Sequence, residues 1–274
     1  MSFTSRLAGE TGISEELLPS SYQIVGDVLL LKMLKLQGVK EKQKVASALL
    51  EMFPYVKTVG ELAGIGDEFR TPSVRKLAGN GFETAHKEHG ILYRLDASRI
   101  MFSKGNHYER QRLISKVRDN EVIIDMFAGI GYFSLGIARY TRAAKIHAIE
   151  KNPLAYRYLA QNIALNKAAT IEPLLGDNRT LAGTLAGKAD RILMGYFPGT
   201  ETFLPHALRL LKQRGTIHFH NTYATHELWK KPLKDIAKAF GEKARFSVKA
   251  RKKVKSVAPH TYHVVLDIEA TIID

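Results

Sequence analysis

The sequence predicts an α/β protein whose larger part is a seven-stranded, mostly parallel sheet, preceded by a smaller α+β domain. An apolar run of strand length at residues 122–127 ends in a turn that contains Gly129 and Gly131, and a helical pattern follows. Strand and helix patterns then alternate to the end of the chain, as is typical of parallel βαβ units. The two parts of the chain also differ in net charge.

The first 100 residues have the patterns of a small α+β domain. Residues 22–31 are predicted to form a strand pair or a bent strand, and residues 41–53 have the apolar spacing of a helix. Glycines and prolines divide residues 58–81 into short strands whose register the sequence does not define. Residues 91–96 alternate as a half-buried strand.

The net positive charge is concentrated in the second part of the chain. The 274 residues include 41 Lys and Arg against 27 Asp and Glu, a formal net charge of +14. Residues 1–100 have 13 basic and 12 acidic side chains, whereas residues 101–274 have 28 and 15. We therefore predict two domains, 1–100 and 101–274. The basic domain favours a polyanionic partner such as nucleic acid, although a basic surface that serves no partner gives the same composition.

Several classes of protein are excluded by composition. The chain has no cysteine, which excludes disulfides, thiolate zinc sites and the thiol nucleophile that C5 methylation of pyrimidines requires. The first 16 residues have no apolar core of signal-peptide length, and no apolar run reaches about 18 residues. We expect a soluble, cytoplasmic protein that needs no metal and no membrane.

Residues 122–131 have the pattern of the first half of a nucleotide-binding βαβ unit. Glycines let the backbone approach a ligand, and Glu150, at the end of the next strand, is spaced as the acid that binds ribose hydroxyls. Ser134 stands where a dinucleotide-binding turn has its third glycine, which disfavours a nicotinamide cofactor. No Gly-Lys-Ser or Gly-Lys-Thr follows, which excludes a P-loop. A crossover that binds no ligand is the alternative.

Two polar residues before this unit are candidates for binding an anion. Ser103 has the position of a helix N-cap, ahead of a helical stretch that reaches Val117. Arg110 lies two helical turns later and shares a face with the helix start. A helix N-terminus with a guanidinium suits a carboxylate. A plain cap and a solvated charge are the alternatives.

The segments after Glu150 continue the alternation. Predicted helices end at residues 165, 212 and 240, and the predicted strands are 171–175, 190–196, 215–220, 245–258 and 262–268, the last two antiparallel. The first of these strands ends before Asp177 and Asn178. This pair supplies an acceptor and a donor for adenine nitrogens, although Asp-Asn is also a favoured turn pair.

The densest positive run lies in the predicted strand at residues 245–258. It contains Lys249, Arg251, Lys252, Lys253 and Lys255. On a strand near the sheet edge these side chains project on both faces and can reach phosphates. Solvated charges that protect the edge from aggregation are the alternative.

Several segments together resemble the class I S-adenosylmethionine-dependent transferases that modify guanine at position 37 of tRNA. The similarity covers about residues 85–274 and rests on the blocks at residues 100–112, 125–133, 149–156, 176–179 and 254–263. One branch of this family methylates N1 of guanine. The other transfers the 3-amino-3-carboxypropyl group of S-adenosylmethionine to C7 of 4-demethylwyosine. The loop at residues 194–198, Met-Gly-Tyr-Phe-Pro, differs from the Asn-Leu-Pro type of the methylating branch and favours the second.

The resemblance implies a class I methyltransferase-like Rossmann fold and aminocarboxypropyl transfer to tRNA-Phe, at the anticodon loop, by a monomer that releases methylthioadenosine. It places S-adenosylmethionine, without a metal, on Ser103, Arg110, Phe127, Ala128, Gly129, Gly131, Glu150, Lys151, Asp177 and Asn178. The five cations of the basic run become tRNA contacts. His220 and Tyr196, at strand ends, are the candidate catalytic residues, with a structural role equally open for each. A guanine-37 N1-methyltransferase and a non-catalytic RNA-binding protein are the alternative functions.

Overall fold

In a computed structural model, which describes residues 2–273, the chain divides between Phe102 and Ser103 into two compact units. The helices and strands of the first unit are α1 (Phe3–Thr11), β1 (Tyr22–Val25), β2 (Val28–Leu31), α2 (Val39–Met52), β3 (Thr58–Gly66), β4 (Thr71–Gly79), β5 (Glu83–Glu88) and β6 (Ile91–Asp96). The first four strands form a sheet in the order β1-β2-β3-β4, in which only β2 and β3 are parallel. Strands β5 and β6 form a separate antiparallel hairpin.

The first unit has its own apolar core, to which α1 and α2 contribute Leu7, Val45 and Leu49, all fully buried. The strand pair predicted at residues 22–31 is the hairpin β1–β2, and the predicted helix is α2. The expectation of short strands at residues 58–81 is wrong, because β3 and β4 are nine residues each and pair along their whole length.

Within residues 103–273, the second unit contains six further helices and seven strands. They are α3 (His107–Ile114), β7 (Val122–Asp125), α4 (Ser134–Tyr140), β8 (Lys145–Glu150), α5 (Pro153–Leu165), β9 (Ile171–Leu175), α6 (Asn178–Leu181), β10 (Ala189–Met194), α7 (Leu204–Leu210), β11 (Leu211–Ala224), α8 (Lys231–Phe240), β12 (Ala244–Ala258) and β13 (Thr261–Ile272). Short 3₁₀ turns at Lys104–Asn106, Thr200–Phe203 and Thr225–Glu227 precede α3, α7 and α8.

The seven strands form one sheet in the order β12-β13-β11-β10-β7-β8-β9. The five strands from β11 to β9 are parallel, and β13 runs antiparallel between β11 and β12. The predicted seven-stranded, mostly parallel sheet is thereby confirmed. The chain moves outward in opposite directions from β7, first to β8 and later to β10. In open α/β sheets, such a switch point places a ligand at the carboxyl ends of these strands.

Burial explains the patterns along the strands. Ile123, Ile124, Ile192 and Leu193 of the two central strands are fully buried, because helices cover both faces of a parallel sheet. Strand β12 instead alternates exposed and half-buried residues, as an edge strand with one wet face does.

Candidate active site

The turn after β7 is shaped by two glycines with positive φ. Gly129 has φ 57° and Gly131 has φ 97°, values that other residues rarely adopt. A Cβ atom on Gly129 would lie 2.5 Å from the ring of Tyr132, and one on Gly131 would lie 2.7 Å from Leu135. Both positions therefore require glycine, and the backbone of the turn stays open to a ligand.

Glu150 links this turn to the helix that follows β8. One carboxylate oxygen accepts the Gly129 N–H at 2.7 Å, and the other accepts the Asn152 N–H at 2.7 Å. Burial raises the pKa of Glu150, and these amide hydrogen bonds oppose the shift. A carboxylate has about four acceptor sites, more than the two amides use, so Glu150 can also accept from ribose hydroxyls.

Two buried amide side chains hold the same turn from other helices. Asn162 of α5 donates to the Ile130 carbonyl at 3.1 Å, and Asn178 of α6 donates to the Met126 carbonyl at 2.9 Å. Asn162 was not predicted as a site residue, since a lone Asn inside a helix has no distinctive pattern. Asn178 was predicted to face adenine. No donor among residues 2–273 reaches its buried Oδ1, so this acceptor suits a ligand N–H.

Asp177 begins α6 and lies among cations. Its carboxylate accepts the Arg179 N–H at 2.9 Å as a helix cap, and Lys151 Nζ lies 3.6 Å away. The Arg179 guanidinium, hydrogen-bonded to the carboxylate, is the main reason that the pKa of Asp177 is held well below its usual range. Two of the predicted cofactor residues, Lys151 and Asp177, thus form one charged group.

Three aromatic rings lie together after the central strands. Phe127 stacks on Tyr196 with ring centroids 5.1 Å apart and planes 18° apart, and Phe203 meets Phe127 edge-on at 5.1 Å. The Arg179 guanidinium lies 5.5 Å from the centre of the Phe203 ring. Tyr196, a predicted catalytic residue, is therefore part of an apolar wall, with its side chain half-buried.

Ser103 has the N-cap position of a 3₁₀ turn and not, as predicted, of the α-helix itself. A 3₁₀ turn follows it, α3 begins only at His107, and the Ser103 side chain makes no capping bond. Its Oγ instead accepts from Lys255 Nζ at 2.6 Å. Arg110, only 6% exposed, donates from both terminal nitrogens to the Ser103 carbonyl at 3.2 and 3.3 Å. The structure therefore brings Ser103 and Arg110 together, although not in the predicted way.

His220, the other predicted catalytic residue, is 1% exposed. Its Nδ1 lies 3.0 Å from His263 Nε2, and its ring packs beside Phe133 with centroids 5.5 Å apart. Burial lowers the pKa of His220 to about 3, so the imidazole is neutral at physiological pH. This burial favours a structural role over direct contact with a substrate.

A buried polar network next to His220 has no counterpart in the predicted site. Arg112 of α3 forms ion pairs with Glu109, at 2.7 Å, and with Asp267 of β13, at 2.6 Å. Asp267 also lies 2.7 Å from His218 Nδ1, and Arg191 approaches the other ring nitrogen of His218 at 2.6 Å. Arg112 and Asp267 are 155 residues apart in the chain, so no local pattern could reveal the pair.

The five predicted tRNA contacts divide between the two faces of β12. Lys249, Arg251 and Lys253 are exposed, whereas Lys252 and Lys255 are half-buried and turn toward the α3 segment. The strand forms one edge of the sheet, as the sequence predicted.

Within residues 2–273, no three His, Asp or Glu side chains are grouped so that they could hold a metal ion. In the same part of the chain, no helix is both long and apolar enough to span a membrane.

The sheet order, the glycine turn after β7 and the acid at the end of β8 define a class I S-adenosylmethionine-dependent transferase fold. The chain belongs to the TRM5/TYW2 family: the TRM5/TYW2 methyltransferase domain matches residues 84–249, and the TYW2 N-terminal domain matches residues 6–82. The family predicted from the sequence is confirmed.

Individual relatives lie in both branches of the family. The tRNA(Phe) (4-demethylwyosine(37)-C(7)) aminocarboxypropyltransferase of Methanocaldococcus jannaschii is 40% identical over 90% of this chain and 96% of its own. The tRNA (guanine(37)-N(1))-methyltransferase Trm5b of Pyrococcus abyssi is 32% identical over 93% of this chain and 76% of its own. The structure of P. horikoshii TYW2 in complex with MeSAdo superimposes with a TM-score of 0.85 at 35% identity, covering 98% of this chain and 99% of that one.

Proposed function

We propose that the protein transfers the 3-amino-3-carboxypropyl group of S-adenosylmethionine to C7 of 4-demethylwyosine at position 37 of tRNA-Phe. The observation that carries this proposal is the 40% identity, over nearly the whole of both chains, to the M. jannaschii enzyme that is named for this reaction. MeSAdo, bound in the similar P. horikoshii structure, is the by-product that such a transfer leaves.

The pocket supplies partners for adenosine. The open backbone at Gly129 and Gly131, next to Phe127 and Ala128, lets the nucleoside approach the strand ends. Glu150 accepts from the ribose hydroxyls, and the Oδ1 of Asn178 accepts from the adenine amino group. Asp177 and Lys151 border the adenine side.

The reaction is a displacement at carbon. C7 of the base forms a bond to Cγ of the methionine tail, the S–Cγ bond breaks, and its electron pair neutralises the sulfonium. The proton on C7 then leaves to solvent. Since the leaving group is a neutral thioether, most of the rate must come from alignment of C7 with the S–Cγ bond rather than with the S–CH₃ bond. The residues that hold the tail, among them Ser103 and Arg110, therefore select the product.

We assign different roles to the two candidate catalytic residues. Tyr196 is half-buried beside the strand ends, where the nucleobase of the tRNA substrate can contact it. His220 is a positioning residue, because its ring is buried against Phe133 and His263.

The tRNA is held in this proposal by the exposed cations of β12. Lys249, Arg251 and Lys253 project from the sheet edge, where phosphates of an anticodon loop can reach them. We also propose that the protein acts as a monomer.

The test uses two isotopic labels. The protein is incubated with tRNA bearing 4-demethylwyosine and, separately, with tRNA bearing unmodified guanine 37, with S-adenosylmethionine labelled in the carboxyl or in the methyl group. Carboxyl label in the first tRNA, with release of methylthioadenosine, is the expected result. Methyl label in the guanine-37 tRNA would instead identify an N1-methyltransferase. If no label enters either tRNA, the proposed acceptor is wrong.

A further inference from the structure

Lys255 differs from the other cations of β12 in where its side chain lies. Its Nζ donates to Ser103 Oγ at 2.6 Å, and the lysine is half-buried. The alkyl chain passes directly over Gly105, where an added Cβ would lie 3.0 Å from Lys255 Cδ. Arg110 supports the same segment through the Ser103 carbonyl. Two cations therefore converge on Ser103, and the lysine is the one that meets its side chain.

The sheet register places Lys255 on the ligand edge. Lys255 pairs with His263 of β13, and His263 pairs with Thr222 of β11. Thr222 lies three residues beyond the β11 residue that pairs with Met194, the last residue of β10. The loop that follows β10 returns to this level, because Phe197 stacks on His263 with ring centroids 4.2 Å apart. Lys255 thus lies on the side of the sheet to which the carboxyl ends of the parallel strands point, the side on which ligands of this fold bind.

We propose that Lys255, together with Ser103 Oγ, binds the α-carboxylate of the methionine tail of S-adenosylmethionine. This inference rests on the proposed function and gives Lys255, which the sequence predicted to be a tRNA contact, the part of an anchor for the transferred group. A carboxylate accepts from an ammonium and a hydroxyl in a charge-assisted arrangement. Glu150 then holds the ribose and Lys255 holds the carboxylate, so the direction of the S–Cγ bond in the bound substrate is fixed.

The test measures the binding of three ligands by calorimetry, without tRNA. Lys255→Met is compared with Lys243→Met, which removes an exposed cation just before β12. The ligands are S-adenosylmethionine, its decarboxylated form, which keeps the amine but lacks the carboxylate, and methylthioadenosine, which lacks the tail. We expect Lys255→Met to weaken S-adenosylmethionine about 10-fold or more, as for a charged hydrogen bond. Binding of the other two ligands should stay unchanged, and Lys243→Met should alter none.

The remaining outcomes overturn the proposal in distinguishable ways. Equal weakening of all three ligands by Lys255→Met would mean that the lysine only supports the fold of the site. Unchanged binding of S-adenosylmethionine by Lys255→Met would mean that the lysine does not hold the tail, and weaker binding of tRNA by the same variant in a separate filter-binding assay would make it a phosphate contact. If the unaltered protein binds methylthioadenosine but not S-adenosylmethionine, there is no tail site. If it binds none of the three ligands, the proposed function itself is wrong.

Discussion

At the scale of single residues, the site depends on buried polar side chains whose partners are backbone groups. Glu150 holds an amide on each side, and Asn162 and Asn178 each hold a carbonyl of the glycine turn. Hydrogen bonds of this kind add modest stability when made, but a buried backbone group that loses its partner is costly. The turn is therefore preformed, and cofactor binding does not have to order it.

Asn162→Ala tests this reasoning. The substitution leaves the Ile130 carbonyl without its donor in a fully buried environment, so we expect a loss of about 1–3 kcal/mol in the free energy of unfolding. Urea denaturation gives the value, and calorimetry should show weaker binding of S-adenosylmethionine. The control is Gln161→Ala, an exposed neighbour on the same helix, which should leave both quantities nearly unchanged. Equal effects of the two substitutions would contradict the role of Asn162.

The burial of the Asp125 carboxyl predicts that the stability of the protein depends on pH. The carboxyl is fully buried and accepts from Ser134 at 2.7 Å, and burial raises its pKa from 3.8 to about 6. Between these values the folded state holds a proton that the unfolded chain has lost, so this group makes the protein less stable as pH rises, with the full cost above pH 6. The cost is at most about 3 kcal/mol.

Asp125→Asn should therefore gain stability relative to the unaltered protein as the pH rises from 4 to 7. Denaturant unfolding at several pH values measures the difference between the two proteins, which removes the titration of all other groups. A difference that is constant over this range would show that Asp125 does not titrate between pH 4 and 7.

At the scale of elements, α3 is fastened to the sheet by charge. Arg112 joins the helix to Asp267 of β13, and Asp267 in turn contacts His218 of β11. Burial raises the pKa of Asp267, but hydrogen bonds with His218 and Arg112 outweigh this effect and hold the pKa well below its usual range. Because α3 follows Ser103 and includes Arg110, the network sets the position of the proposed tail site.

Asp267→Asn should be strongly destabilising, by about 3 kcal/mol, because it removes a buried carboxylate and leaves the half-buried Arg112 guanidinium with one carboxylate partner instead of two. Thermal unfolding measures the loss. The matched control is Glu269→Gln, two residues along the same strand, where the carboxylate pairs with solvent-exposed cations; that change should have little effect. Similar losses at both positions would mean that the network adds no stability of its own.

At the scale of the whole molecule, the surplus of positive charge belongs to residues 101–274, and β12 displays part of it on an open edge. Phosphate contacts release counterions, so a binding surface of this kind weakens as salt rises. The contribution of the exposed face of β12 to tRNA binding can therefore be measured from the change of affinity with ionic strength.

Arg251→Glu should weaken tRNA binding about 10-fold near 0.1 M salt and reduce the slope of log affinity against log salt by roughly 1. Filter binding over a salt series gives both quantities. Arg142→Glu provides the control, since the side chain of this arginine is 85% exposed and the residue lies just before the amino end of β8, away from β12 in the sheet. If the two reversals weaken binding equally, tRNA responds to net charge and not to β12.

The sequence was sufficient to predict features that depend on neighbours along the chain. The β7 turn, Glu150, the edge strand and the order of helices and strands follow from periodicity, glycine placement and charge. Contacts created only by folding were not accessible: Lys255 meets Ser103 across 152 residues. His220 was predicted to lie at a strand end, but β11 continues to Ala224, because β13 pairs with it along that length. The His220 ring is buried.

The edge strand β12 also bears on how the protein behaves at high concentration. A free strand of 15 residues exposes unpaired backbone groups that a second copy could extend into a continuous sheet. Two features oppose this here: like charges repel, and register shifts at three places along the β12–β13 pair break the straight edge. Concentrated salt screens only the first. Purification in high salt, often chosen to strip bound RNA, therefore leaves irregular geometry as the main barrier to self-association.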